Sequence, residues 1–176
     1  MPEHPGFDLQ QINGRSVVRL RVRPSGVDAA GKALQLPREA LQWRGEDPAA
    51  YWLGPDQWLL TSDTKPAEDM IGHIDATLSG QLYAATDMSS HNVCFALRGA
   101  AARTVLAMGC GIDMHRSAFT TGQCVNTHFA NVLLFIVVVG DSSFDLYVDR
   151  SHARYLRDWL LSAGEDPITR DSKYHT

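Results

Sequence analysis

The sequence predicts an α+β fold: a mixed, mostly antiparallel sheet with helices packed on it. Three observations lead there. Short segments of alternating polarity and one apolar run, 132–139, read as strands. Segments 66–79, 99–109 and 151–164 carry apolar residues at helical spacing instead. Several strands also follow one another with no room for a crossover helix, which a purely parallel sheet would need.

Taken in order, Ser16–Val22 alternates, with Val18, Leu20 and Val22 on one face and Arg19, Arg21 and the following Arg23 on the other. Residues 24–49 are broken by Pro24, Gly26, Gly31, Pro37, Gly45 and Pro48 and read as a long connection. A short helical turn after Pro37, carrying Leu41 and Trp43, is expected inside it. Tyr51–Leu53 and Gln57–Thr61 flank Gly54-Pro55-Asp56 as a hairpin. A helix over 66–79 follows: Met70, Ile71, Ile74 and Leu78 make its stripe, Glu68 and Asp69 suit its positive end, and Gly80 stops it.

Leu82–Met88 and Asn92–Leu97 are the next strands. Gly99 opens a helix with Ala101, Val105 and Met108 facing inward, and Gly109 closes it. After a loop over 110–121, strands are expected at Gln123–Ala130, Val132–Val139 and Phe144–Val148. The last helix is capped by Asp149 or Ser151, buries Leu156, Trp159, Leu160 and Ala163, and pairs Arg154 with Asp158 on its wet side. The organisation expected is a flexible arm over 1–15, a single α+β domain over 16–164, and a polar tail over 165–176.

Charge and cysteine usage narrow the function. A net charge of −4 over 176 residues gives no global attraction to nucleic acid or an anionic membrane. The N-terminal stretch lacks the basic and apolar regions of a secretory signal. Three widely spaced cysteines, Cys94, Cys110 and Cys124, form no disulfide framework and fit a reducing, cytoplasmic setting.

Catalytic patterns are missing or broken. Gly26-Val-Asp-Ala-Ala-Gly31-Lys32-Ala33 approaches a phosphate loop, but Ala33 has no oxygen for magnesium and Asp28 would repel phosphate. A flexible glycine-containing loop is the better account. His115, His128 and His152 lie on separate elements without metal-ligand spacing. Ser89-Ser90-His91 is adjacent in the chain rather than arranged as a triad, and Asp113, Asp141, Asp145 and Asp149 fall in turns or at outward strand positions.

Two features remain as a candidate subunit interface. Trp43, Trp52 and Trp58, with Tyr51, concentrate aromatic area around one hairpin. A buried tryptophan removes up to ~250 Å² from water, so core packing is the default and an exposed one marks a partner surface. Arg19, Arg21 and Arg23 form a basic ridge, read either as a protein contact or as a solvated edge that resists aggregation.

Three segments together resemble the gamma subunit of heterotetrameric sarcosine oxidase: Trp52-Leu-Gly-Pro-Asp-Gln-Trp-Leu-Leu60, Leu106-Ala-Met-Gly-Cys-Gly-Ile-Asp-Met114 and Phe119-Thr-Thr-Gly-Gln-Cys-Val-Asn-Thr127. The likeness covers roughly 50–163. Complexes acting on other N-methyl amino acids, such as N-methylglutamate dehydrogenase, carry similar gamma chains. The family in turn resembles a reduced folate-binding domain of the glycine-cleavage T-protein.

The resemblance implies a complex that oxidatively demethylates sarcosine to glycine, makes hydrogen peroxide and passes the one-carbon unit to tetrahydrofolate. It implies that FAD, FMN, NAD, tetrahydrofolate and zinc sit on partner subunits. This chain would hold no cofactor or metal, have no catalytic residue, and pack against the large alpha subunit. In the T-protein fold an acidic residue near the central hairpin serves folate chemistry; the matching stretch here, 131–139, has no carboxylate. A stand-alone folate-binding protein of the same fold is the rival reading.

Overall fold

The structure, a computed structural model, describes residues 6–165. They divide into two compact units: 6–12 with 93–165, and 13–92. Residues 166–176 of the expected polar tail lie outside the described residues.

The 13–92 unit is built on strands β2 (Ser16–Val22), β3 (Trp43–Arg44), β4 (Ala49–Gly54), β5 (Gln57–Ser62) and β6 (Tyr83–Asp87). Its sheet has the order β3-β4-β5-β2-β6, and these pairings are antiparallel. Helices α1 (Val27–Ala33) and α2 (Ala67–Thr77) supply Ala30, Met70 and Ile74 to a core with Val18, Leu20, Val22, Trp58 and Leu60. The period of two in β2 dictates this arrangement: its even positions enter the core and Arg19 and Arg21 stay exposed.

The folded chain departs from two expectations in this unit. The near-phosphate loop over 26–33 is no flexible loop, because 27–33 is helix α1. Pro24 at the start of a preceding 3₁₀ turn sets the backbone for helix entry, and alanines carry it on. Gly31, read as a breaker, is buried; a Cβ there would sit 3.4 Å from the Arg38 side chain. No helix follows Pro37. Leu41 takes φ +65 in a turn, and Trp43 belongs to β3.

The second unit contains β1 (Asp8–Ile12), β7 (Asn92–Arg98), β8 (Cys124–Phe129), β9 (Val132–Gly140) and β10 (Ser143–Asp149), in the order β1-β7-β10-β9-β8. Residues 8–12, placed in the expected arm, are thus a strand. They pair antiparallel with β7, Asp8 opposite Arg98 and Ile12 opposite Cys94, and Leu9 is buried. Helices α3 (Ala102–Gly109) and α4 (Ala153–Gly164) cover this unit's core through Val105, Leu106, Leu156 and Leu160. Met108, expected inward, is 42% exposed: Ala102, Val105 and Leu106 form the stripe of α3. Asp149 caps the 3₁₀ turn Arg150–His152 that leads into α4, accepting from the Ser151 N–H at 2.8 Å, whereas α4 itself starts after His152 without a side-chain cap; Arg154 meets Asp158 at 3.6 Å.

Strands β8 and β9 join through Ala130-Asn131, with Phe129 opposite Val132 and Ala130 at φ +48. A two-residue hairpin turn with positive φ at its first position favours glycine there. Ala130→Gly is expected to stabilise the chain by about 0.5–1 kcal/mol, read as a rise in denaturation midpoint at unchanged slope.

Candidate functional site

Sheet register separates the predicted interface residues. One row crosses the 13–92 sheet as Trp43, Tyr51, Leu59, Arg19 and Thr86; the next runs Trp52, Trp58, Leu20 and Ala85. Because side chains alternate faces, Trp43 and Arg19 share a face with Arg21, whereas Trp52 and Trp58 point to the helix side. Trp58 is 1% exposed and donates its indole N–H to the Pro37 carbonyl at 2.8 Å, which makes it a core residue and removes it from the surface set. Trp43 is half-buried against Tyr51, ring centres 5.8 Å apart, and Trp52 is also half-buried.

The arginine ridge does not sit on a sheet edge, since β2 lies between β5 and β6. Its charges are largely engaged. Arg19 donates to the Gln57 side-chain amide oxygen at 2.6 Å and Arg21 to the Asp56 carboxylate at 3.1 Å, which holds that carboxyl below its usual range. Arg15 makes two bonds, 2.7 and 2.8 Å, to Asp63, lowering its pKa likewise. Arg23 is exposed at the strand's end, its backbone N–H bonded to the Leu82 carbonyl.

The helix side of the same sheet holds a cleft of about 870 Å³. Ala50 and Leu60 from the strands, Leu36 from the loop after α1, and Met70 and Ile74 from α2 line its depth, all of them buried. Lys32, Arg38, Arg44 and Lys65 stand at its mouth with His73; among the described residues Asp69 is the lone carboxylate in the lining. Arg38 bonds Asp28 across the α1 connection. The arrangement pairs an apolar interior with a cationic rim. These residues are spread over more than forty positions on five elements and their connections, so no local run announced them; only the folded register brings them together.

In the other unit, Arg103 of α3 is 9% exposed. It donates to the carbonyls of Asp141 (2.7 Å), Met114 (2.8 Å) and Phe119 (2.9 Å), and lies 5.1 Å from the centre of the Phe144 ring. Burial pushes its pKa down, Arg116 adding to the shift and Asp141 opposing it. Asp145, expected outward, is buried and paired with Arg98. His115 sits 2.8 Å from the Ser117 hydroxyl in the 110–121 loop, His128 is on β8, and His152 precedes α4, so the structure does not bring the three histidines together. Among the described residues no group of three or more His, Cys, Asp or Glu is placed to hold a metal ion. Cys94 and Cys124 are buried, and burial raises the pKa of the Cys110 thiol.

The segments that carry the resemblance fall at defined places in the fold: 52–60 is the β4–β5 hairpin, and 106–114 and 119–127 are the two stretches that Arg103 ties together. The family "Sarcosine oxidase, gamma subunit family" matches residues 25–166. The chain belongs to that family. The match begins at the turn before α1, earlier than the stretch from 50 that the resemblance covered. The gamma subunit of sarcosine oxidase from Corynebacterium sp. (strain U-96) is 27% identical over 161 residues, spanning 88% of this chain and 78% of that protein.

Among solved structures, a chain of the heterotetrameric sarcosine oxidase from Corynebacterium sp. U-96, in complex with pyrrole 2-carboxylate, superposes with TM-score 0.83 at 25% identity. It covers 92% of this chain and 85% of its own. The glycine cleavage aminomethyltransferase T of Bartonella henselae matches with TM-score 0.67 at 16% identity, over 90% of this chain and 46% of that one. At that identity the likeness speaks for the fold, and it agrees with the α+β, T-protein-like class expected from the sequence. Among the described residues no helix is long and apolar enough to cross a membrane.

Proposed function

We propose that this chain is a non-catalytic structural subunit of a cytoplasmic, heterotetrameric sarcosine oxidase-type complex and packs against its large alpha subunit. The observation that carries the reading is the gamma-subunit family match over 25–166, joined to the fold similarity across 92% of the chain. In this reading FAD, FMN, NAD, tetrahydrofolate and zinc belong to the partner subunits. The chain contributes shape: two sheets stiffened by their helices, with half-buried Trp43 and Trp52 and exposed Arg23 as candidate contacts. Aromatic and arginine side chains of that kind anchor protein interfaces.

Co-expression of the partner subunits with and without this chain tests the proposal. Recovery of the assembled complex is expected to fall at least about tenfold without it, the scale of losing one interface anchor. The isolated chain is expected to leave sarcosine untouched. Sarcosine turnover by the chain alone, or full assembly and folate coupling in its absence, overturns the proposal. Assaying the assembled complex with both sarcosine and N-methylglutamate identifies the amine.

A further inference from the structure

We propose that the cleft between α1, α2 and the β4–β5 hairpin binds a small organic anion with an apolar body. This assignment does not depend on the subunit role. A volume of about 870 Å³ lies within the range of small-molecule sites, about 300–1,000 Å³, and an apolar interior with a few convergent polar groups is their usual composition.

Charge selects the ligand. The chain as a whole is acidic, at −4, yet the cleft presents Lys32, Arg38, Arg44 and Lys65 against Asp69 alone among the described residues. In this unit Arg15 pairs with Asp63, Arg21 with Asp56 and the cleft's own Arg38 with Asp28, while Arg19 bonds the neutral Gln57. Lys32, Arg44 and Lys65 make no ion pair among the described residues. Of the acids close to them in the chain, Glu39 bonds the Gln42 amide at 2.7 Å and Asp47 the Thr64 hydroxyl at 2.6 Å, and among the described residues neither reaches a cleft cation. Three cations without an ion pair, set against the single Asp69, stand above a desolvated floor and draw an anion, and the floor of Leu36, Leu60, Met70 and Ile74 rewards one that carries hydrocarbon. A hydrophilic anion would leave that floor unfilled, and a neutral apolar molecule would forgo the charge.

The probe is 8-anilinonaphthalene-1-sulfonate, titrated into the full chain and followed by fluorescence. Saturable binding at one site per chain is expected, and the neutral N-phenyl-1-naphthylamine is expected to bind at least about tenfold more weakly. The Arg44→Glu/Lys65→Glu variant reverses two exposed rim charges without entering the core and is expected to weaken the sulfonate at least about tenfold while leaving the neutral probe unchanged. Asp69→Asn removes the opposing charge and is expected to tighten the sulfonate about two- to threefold. Equal affinity for the charged and neutral probes overturns the proposal. So does indifference to the rim reversal, or binding that does not saturate at one site.

Discussion

Replacing Arg103 with methionine is expected to lower the stability of the 93–165 unit by about 3–5 kcal/mol. The guanidinium is buried and donates to three backbone carbonyls: Asp141 in the β9–β10 turn, Met114 and Phe119 in the 110–121 loop. Met114 and Phe119 are themselves 5% and 4% exposed, so water does not readily replace the lost donors. A buried carbonyl stripped of its partner costs about 1–3 kcal/mol, and those of Met114 and Phe119 are stripped at once, though not additively, while exposed Asp141 can turn its carbonyl to water. Methionine keeps an unbranched apolar chain of similar reach but gives up the guanidinium's place over the Phe144 ring, so the loss reports the hydrogen bonds and that contact rather than a large cavity. Lysine in the same place keeps the charge but offers no planar fork, and an intermediate loss is expected. Hydrogen exchange read by mass spectrometry separates the outcome by region. Protection falls first at 110–121 and then across β8–β10, while peptides from 13–92 keep theirs. Uniform loss over both units would assign Arg103 a different role.

The same residue shows why part of the molecule was legible in the sequence and part was not. Strand β2, helix α2 and the β9–β10 hairpin each carry their signal within a dozen residues, as a period or as a turn flanked by apolar runs. Packing then only confirms the local preference. Strand β1, with the sequence DLQQI, has little local preference of its own and exists through pairing with β7. Helix α1 was hidden by the glycine at 31, which sits buried inside the helix rather than reversing the chain, with room for a Cβ in ordinary contact with Arg38. The interface candidates show a third case. Residue types drew attention to three tryptophans equally, but register puts Trp58 in the core and Trp43 on the opposite face. Arg103 and the cleft are non-local altogether. An arginine in a helical segment looks solvent-facing until the loop that binds it is known, and cleft cations from 32 to 65 converge only after the sheet forms.

Gly99→Ala is expected to cost about 4 kcal/mol or more and to release β1 from β7. Gly99 follows β7 at φ +122, a conformation side chains rarely adopt, and this turns the chain toward α3. A Cβ there would lie 2.5 Å from the Gly6 carbonyl oxygen and 2.7 Å from the Phe7 Cα. Those atoms are backbone, so no rotamer change relieves the contact. The same Gly6 carbonyl accepts the Ala101 N–H at 2.9 Å, which ties the lead-in of β1 to the start of α3. Moving it away breaks that bond and pulls Phe7 and Leu9, both buried, toward water. Gly122 provides the comparison within the same unit. It has φ +92, and a methyl group there would meet nothing within 4 Å, so Gly122→Ala carries the conformational strain alone, about 1–2 kcal/mol. The difference between the two variants, measured by denaturant unfolding, isolates the backbone collision. Amide protection at 7–12 should vanish in Gly99→Ala and persist in Gly122→Ala. Equal destabilisation of both would mean that backbone conformation, and not the close approach of Gly6, holds this junction together.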